Sequence, residues 1–277
     1  MSKLVFGFLL LVLVLAEPVL AQEKCDEVYG NGPNKFSLAT GSPGELGLLK
    51  ALAEPFTKRT NSSLCWKKAG SGESLKLLKE KAVDMIMVHA PAAANKAVEE
   101  GWAANKTLIG SNEFYIVGPP GDPAKISTAK SAAEAYSQIA KGQAKFFSRG
   151  DNSGTHKKEM EIWNKAGISP SGDWYIVTKD FMTATLKRAN DEAGYFMTDS
   201  STWVAEKKNV PKLAILFKGD KFLVNTYHAL SQPGASLASK FIEHVASKEG
   251  QKIIAEYGKS SYGEGIYNSA AYASRYD

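Results

Sequence analysis

The stretch "SRGDNSGTHKKE", Ser148–Glu159, follows Phe146 and Phe147 and runs into residues that suit a helix. An apolar run, then two glycines among small polar residues, then a charged helical pattern reads as a strand–loop–helix junction. Such a junction has a chemistry. Glycine lets backbone approach a ligand, hydroxyls donate hydrogen bonds, and a helix N-terminus offers unpaired N–H groups with a partial positive charge. Arg149 is the informative residue, because an unpaired guanidinium at the end of an apolar strand is costly to bury. Either it pairs with Asp151 or another acid, or it presents a fork of donors to an oxyanion or carboxylate. A third reading takes Ser153 and His156, three residues apart, as nucleophile and base on one helix face, with Asp151 or Glu159 orienting the histidine.

Outward from that junction the chain alternates strands with single helices. "KFSLAT" (Lys35–Thr40) reads as a strand, and Leu46, Leu49, Ala53 and Phe56 give Glu45–Thr57 a helical face. Strand "SLCWKK", helix Glu73–Lys79, strand "DMIMVHA", helix Ala92–Glu100 and strand "EFYIVG" (Glu113–Gly118) follow. The pattern continues to strand "GYFM" and a helix from Ser200, which predicts an α/β fold with parallel sheets covered on both faces. Past Leu213 it changes: "KLAILFKGDKFLVNTYHALSQ" holds two or three strands with no room for a helix. Such a stretch suits a passage between two lobes.

Ligands of open α/β sheets bind outside the carboxyl ends of the strands. The loops expected there include "ATGSPGE", "AGSGES", "HAPAAA" and "SRGDNSGTH", three of them rich in Gly, Ser and Thr. Thr40, Ser71 and Ser153 could each merely cap a helix. Three such loops with one arginine argue instead for an anion cradle.

Lys3 followed by an apolar run from Leu4 to Ala16, with "VLA" ending at Ala21, has the form of a secretory signal peptide, residues 1–21. The mature chain is then about 256 residues, exported, and long enough for two modest lobes. Glu23 and Lys24 sit where a lipid-anchored cysteine would need small apolar neighbours. The only cysteines, Cys25 and Cys65, are expected to pair in an oxidising compartment. Closing a loop of about 40 residues is worth roughly 4 kcal/mol on chain-entropy grounds. The net charge of +5 is spread in short pairs interleaved with acids, which speaks against a nucleic-acid partner and mildly for an anionic ligand. Four scattered histidines make no metal pair, and "GxSxG" and a lysine-containing phosphate loop are absent. No cofactor and no metal are expected.

Taken together, "SRGDNSGTHKKE", "VHAP" (Val88–Pro91), Gly101-Trp102, "YIVGPPGDP" (Tyr115–Pro123) and "LVNTY" (Leu223–Tyr227) resemble the tungstate-binding periplasmic proteins, the substrate-binding components of ABC importers. The resemblance runs from about Phe36 to Tyr257. It implies a two-lobed type II periplasmic-binding-protein fold with two hinge strands, Tyr115–Gly118 and Leu216–Lys221. One lobe is residues 22–116 plus 222–277, and the other is residues 117–221. It also implies a periplasmic monomer that captures tungstate, with molybdate the near alternative, and delivers it to a membrane permease with its ATPase. The chain would not be an enzyme. The family's motifs carry ligand binding onto Thr40, Ser42, Ser71, Arg149, Ser153, Gly154 and Thr155. Two departures bear on the ligand: "ATGS" (Ala39–Ser42) has fewer hydroxyls than the family's first loop, and Ser200 stands where an arginine is common. An organic acid or small peptide, with Trp66, Trp102 or Tyr175 lining a larger cleft, is the rival ligand class. An exported hydrolase using Ser153 and His156 is the rival function.

Overall fold

A computed structural model of the protein describes residues 24–277, so the signal-peptide reading of residues 1–21 lies outside the described residues. The first half comprises β1 (Glu27–Tyr29), β2 (Asn34–Thr40), α1 (Ser42–Glu45), α2 (Leu48–Thr60), β3 (Ser62–Lys68), α3 (Ser71–Lys79), β4 (Met85–Val88) and α4 (Pro91–Glu99). Next come β5 (Ala104–Gly118), α5 (Ala132–Lys141), β6 (Phe146–Ser148), α6 (Gly154–Lys165), β7 (Tyr175–Val177), α7 (Met182–Asp191), β8 (Tyr195–Asp199) and α8 (Ser200–Glu206). The chain returns through β9 (Ala214–Phe217), β10 (Val224–Ser231), α9 (Ser236–Ala246) and α10 (Lys248–Glu256).

The strand order is β1-β3-β2-β4-β10-β5-β8-β6-β7, with β9 also on β5. Two parallel groups, β3-β2-β4 and β8-β6-β7, have the βα connections read from the sequence. The expectation of wholly parallel sheets is corrected between them. There β10 pairs antiparallel with β4 and β5, and β5 pairs antiparallel with β8 and β9. β5 is 15 residues long; Ala104, Thr107, Leu108 and Gly110 to Glu113 pair with β10, while Phe114 to Val117 pair with β8. Its first half, "ANKTLIGS", lacks the alternation of a half-buried strand, and partnership with β10 makes it one. The helix expected over Glu45–Thr57 is also two helices, because Gly47 at φ +84 breaks the run ahead of α2.

Helix α2 buries Leu48, Leu49, Leu52, Ala53 and Phe56, the i, i+3, i+4 stripe seen in the sequence. Phe56 meets Phe36 of β2 and Phe241 of α9, with the Phe56 and Phe241 rings 5.0 Å apart. Around the other parallel group Tyr136, Phe146 and Trp163 form a second aromatic core, the Tyr136–Trp163 centroids 4.3 Å apart. Cys25 and Cys65 form a disulfide that ties the start of the described chain to β3.

Candidate functional site

The loop after β6 is shaped by its own side chains. Gly150 has φ +58, and a Cβ there would lie 2.2 Å from Val177 Cγ1, so only glycine makes the turn. Asp151 accepts from Ser153 N at 3.1 Å and from Arg149 Nη2 at 2.6 Å. Ser153 then caps α6, its Oγ accepting from His156 N at 3.2 Å. The α6 amides of Gly154 and Thr155 lie ahead of any intrahelical acceptor.

The ion-pair reading of Arg149 holds, and it leaves part of the guanidinium unengaged. Its side chain is buried, one amino group pairs with Asp151, and Nε donates to Asp180 O at 3.2 Å. That leaves Nη1, which has no protein partner among the described residues, on a guanidinium fixed in orientation. Phe181 lies under its plane, 5.6 Å from ring centroid to Cζ.

Arg149 lines a small cavity together with Thr40, Gly41, Ser42, Glu45, Gly70, Ser71, Met87, His89, Phe181 and Tyr227. The structure thus brings Thr40, Ser42, Ser71 and Arg149 to one pocket. Ser153 and Gly154 form its flank. A Cβ on Gly70 would lie 3.2 Å from Ser153 Cβ, and one on Gly154 would lie 2.5 Å from the His89 ring. A Cβ on Gly72 would lie 2.5 Å from Asn152 O. The N-terminus of α3 therefore abuts that of α6, so two helix ends with partial positive charge converge beside one guanidinium. Thr155 is set apart: its hydroxyl is buried without a hydrogen-bond partner, but it is not among the residues lining the cavity.

Hydroxyls in the pocket differ in what they have left to donate. Thr40 Oγ1 donates to Met87 O at 2.8 Å, so its hydrogen is engaged in the strand edge. Ser71 Oγ accepts from His89 N at 3.2 Å, and Ser153 Oγ accepts from His156 N, so both keep their hydrogens for a ligand. Glu45, the acid on the pocket wall, is neutralised by Lys68 at 2.6 Å.

His89 and Tyr227, which enter the sequence reading only within the motifs "VHAP" and "LVNTY", both line the cavity. Burial, with the Arg149 guanidinium second, pushes the His89 imidazole down to about 4, so it is neutral at pH 7. Glu159, last residue of the opening stretch, is buried, and desolvation pushes its carboxyl up to about 7. Tyr175 Oη at 2.7 Å and Trp163 Nε1 at 3.3 Å donate to it, which makes it an anchor between α6 and β7.

A nucleophile–base pair is not built. His156 Nδ1 accepts from Asn152 N at 3.0 Å, and Ser153 Oγ is bonded to the histidine's backbone rather than its ring. Nor do Trp66, Trp102 or Tyr175 line the pocket. Trp66 donates to Thr40 O from beneath β2, Trp102 donates to Glu100, and Tyr175 serves Glu159. Ser200, the second departure, lies outside this pocket and accepts from Glu113 N at 3.1 Å.

A profile of the PBP superfamily domain matches residues 27–249. The chain belongs to the PBP superfamily. It is 33% identical over 241 residues to the tungstate-binding protein TupA of Peptoclostridium acidaminophilum, covering 84% of each chain. Among solved structures it is similar to the tungstate ABC transporter protein of Geobacter sulfurreducens, with TM-score 0.73, 38% identity, and 82% of this chain and 100% of that one covered. Tungstate-binding TupA of Desulfovibrio alaskensis G20 gives TM-score 0.70 at 36% identity, over 85% of this chain and 98% of that one. Within the superfamily these relatives place the chain with solute-binding proteins of transporters, in the two-lobed α/β architecture read from the motifs.

Proposed function

We propose that the chain is the periplasmic receptor of an ABC importer and captures tungstate, with molybdate the near alternative, in the pocket at Arg149. The observation that carries this is the convergence of one buried guanidinium and two helix N-termini on a small cavity. The proposed ligand set is Arg149 Nη1, the hydroxyls of Ser42, Ser71 and Ser153, and the amides of Gly154 and Thr155. Thr40 shapes the strand edge beneath it, and the buried Thr155 hydroxyl stands ready behind it. A dianion meets one full charge and neutral donors, each hydrogen bond to it worth about 1.5–3 kcal/mol. Five or six of these exceed the cost of association.

The lobes proposed to close on the ligand are residues 22–116 with 222–277 and residues 117–221. Contacts such as Gly70 with Ser153 and Gly154 with His89 join them, so ligand favours the closed form by binding both sides. A permease with its ATPase would read that form from a monomeric receptor. The protein is proposed to perform no chemistry, in keeping with the separation of Ser153 from the His156 ring.

Thermal unfolding with tungstate, molybdate, sulfate, phosphate and a set of amino and dicarboxylic acids tests the reading. At 100 times Kd, a ligand that binds only the folded state adds about 2.7 kcal/mol. Tungstate and molybdate should raise the midpoint. An organic acid that does so while both metal oxyanions fail would overturn the assignment.

A further inference from the structure

His89 is the inner end of a buried hydrogen-bond chain that leaves the pocket and crosses the strands. Its Nδ1 lies 2.9 Å from Asn225 Oδ1 on β10. Asn225 Nδ2 donates to Asn112 Oδ1 at 2.7 Å, across the β10–β5 pairing where the two asparagines are registered opposite each other. Asn112 Nδ2 donates in turn to Asp199 Oδ1 at 3.2 Å and to Ser201 Oγ at 2.9 Å. Asp199 also accepts from Thr202 N at 2.8 Å, from the Thr202 hydroxyl at 2.9 Å and from the Ser201 hydroxyl. Asn112, Asn225 and Asp199 are 0%, 3% and 1% exposed, so water does not offer these groups substitute partners.

A chain of this kind has one sense. A carboxylate only accepts, so the Asn112 amide must turn its NH2 to Asp199 and its oxygen to Asn225. Asn225 must then turn its NH2 to Asn112 and its oxygen to His89. That oxygen needs a donor, and His89 Nδ1 is the atom facing it. The same ring carries the seat for α6, since the Gly154 Cβ position lies 2.5 Å from both Nδ1 and Cε1, and the His89 amide holds Ser71 Oγ. Arg149, Asp151 and Lys158 are the charged groups that act on the imidazole, and the Tyr227 and Phe114 rings flank it.

We propose that Asp199, acting through Asn112 and Asn225, is a positioning residue for oxyanion capture: it holds His89 in the Nδ1–H tautomer, in the ring orientation on which the first turn of α6 seats. The proposal deepens the reading of the pocket as an oxyanion site and rests on it. Without the chain the ring turns, and the α6 amides lose their register against Arg149 and Ser71. Partners that orient a metal-ligating histidine are typically worth 10–100-fold in affinity, and a loss of about tenfold or more in tungstate affinity is expected here.

The test joins nitrogen-15 histidine spectra of the ligand-free protein at pH 7, with His89→Gln to assign the signal, to tungstate titration calorimetry. The wild type should show a single Nδ1–H form of His89. Asp199→Asn should admit both tautomers and weaken tungstate binding. Because Asp199 also caps α8, Asn225→Ser, which leaves that cap intact, should do the same at a retained circular dichroism spectrum. A wild-type His89 carrying its proton on Nε2 would overturn the relay even in a protein that binds tungstate well. So would an Asn225→Ser variant with tautomer and affinity unchanged. A wild type that shows the Nδ1–H form but binds none of the oxyanions would instead overturn the capture role together with the reading of the pocket.

Discussion

The two walls of the pocket are made from similar residues and do different things. On the Arg149 side, the loop Arg149–Gly154 organises itself: Asp151 fixes the guanidinium and the turn, and Ser153 caps α6. On the Thr40 side, the polar groups depend on distant strands: Thr40 is bonded to Met87, and Ser71 is set by His89. A wall built locally supplies charge in a fixed direction, while a wall built by packing supplies donors whose availability depends on their partners. Reading hydroxyls off a loop therefore overstates the second wall and understates the first.

Arg149→Ala should break this contrast most severely. One or two charge-assisted hydrogen bonds at roughly 1.5–3 kcal/mol each predict a loss of tungstate affinity by calorimetry of at least about tenfold, rising past about a thousandfold if both are lost at full strength. Arg149→Lys should recover little of it, since an ammonium is a point charge without the fork. Normal binding with only a lowered melting midpoint would make Arg149 a mere partner of Asp151.

Gly154→Ala comes next, since its Cβ would lie 2.5 Å from the His89 ring. Tungstate affinity should fall about tenfold, because the added methyl pushes the first turn of α6 off the His89 ring. An unchanged Kd would show that the walls meet in some other way.

A pair of hydroxyl deletions sharpens the comparison within the second wall. Ser71→Ala should weaken binding about tenfold, for one hydrogen bond to a charged ligand at the lower end of about 1.5–3 kcal/mol. Thr40→Val should leave affinity within twofold and lower the melting midpoint instead, since it strands Met87 O. If the two variants exchange these effects, the assignment of free and engaged hydroxyls is wrong.

Glu159 should affect binding least and pH behaviour most. Its folded carboxyl is raised from 4.5 to about 7 by burial, so the native state holds the proton more tightly than the unfolded one. Its contribution is then full below about pH 4.5 and is lost as pH rises through about 7. Glu159→Gln should flatten the fall in melting midpoint between pH 5 and 7.5, with Kd for tungstate nearly unchanged. A wild-type midpoint that does not fall over that range would contradict the raised carboxyl.

Much of this was legible in the chain because it is local. The βα alternation, the junction at Ser148–Glu159 and the Ser153 cap follow from residues within a few positions of one another. The family resemblance likewise rested on short motifs in order. Ser200, which as a motif departure bore on the ligand, turns out to serve the Glu113 backbone outside the pocket, while "ATGS" remains on its wall. β5 was half missed, since its amino-terminal part is a strand only by virtue of β10, more than a hundred residues on.

By itself, then, the sequence determined most of the alternation of strands and helices, where the loops rich in Gly, Ser and Thr lie, and that Arg149 stands at a strand end. Short-range propensity and capping suffice for these, because each is settled within one or two turns of chain. Only the tertiary structure decided that Thr40's hydrogen is engaged, that Arg149 keeps one amino group beyond its ion pair, and that His89 answers to Asp199 through two asparagines. Hydrogen-bond partnership is a property of pairs, and these pairs form when strands far apart in sequence become neighbours.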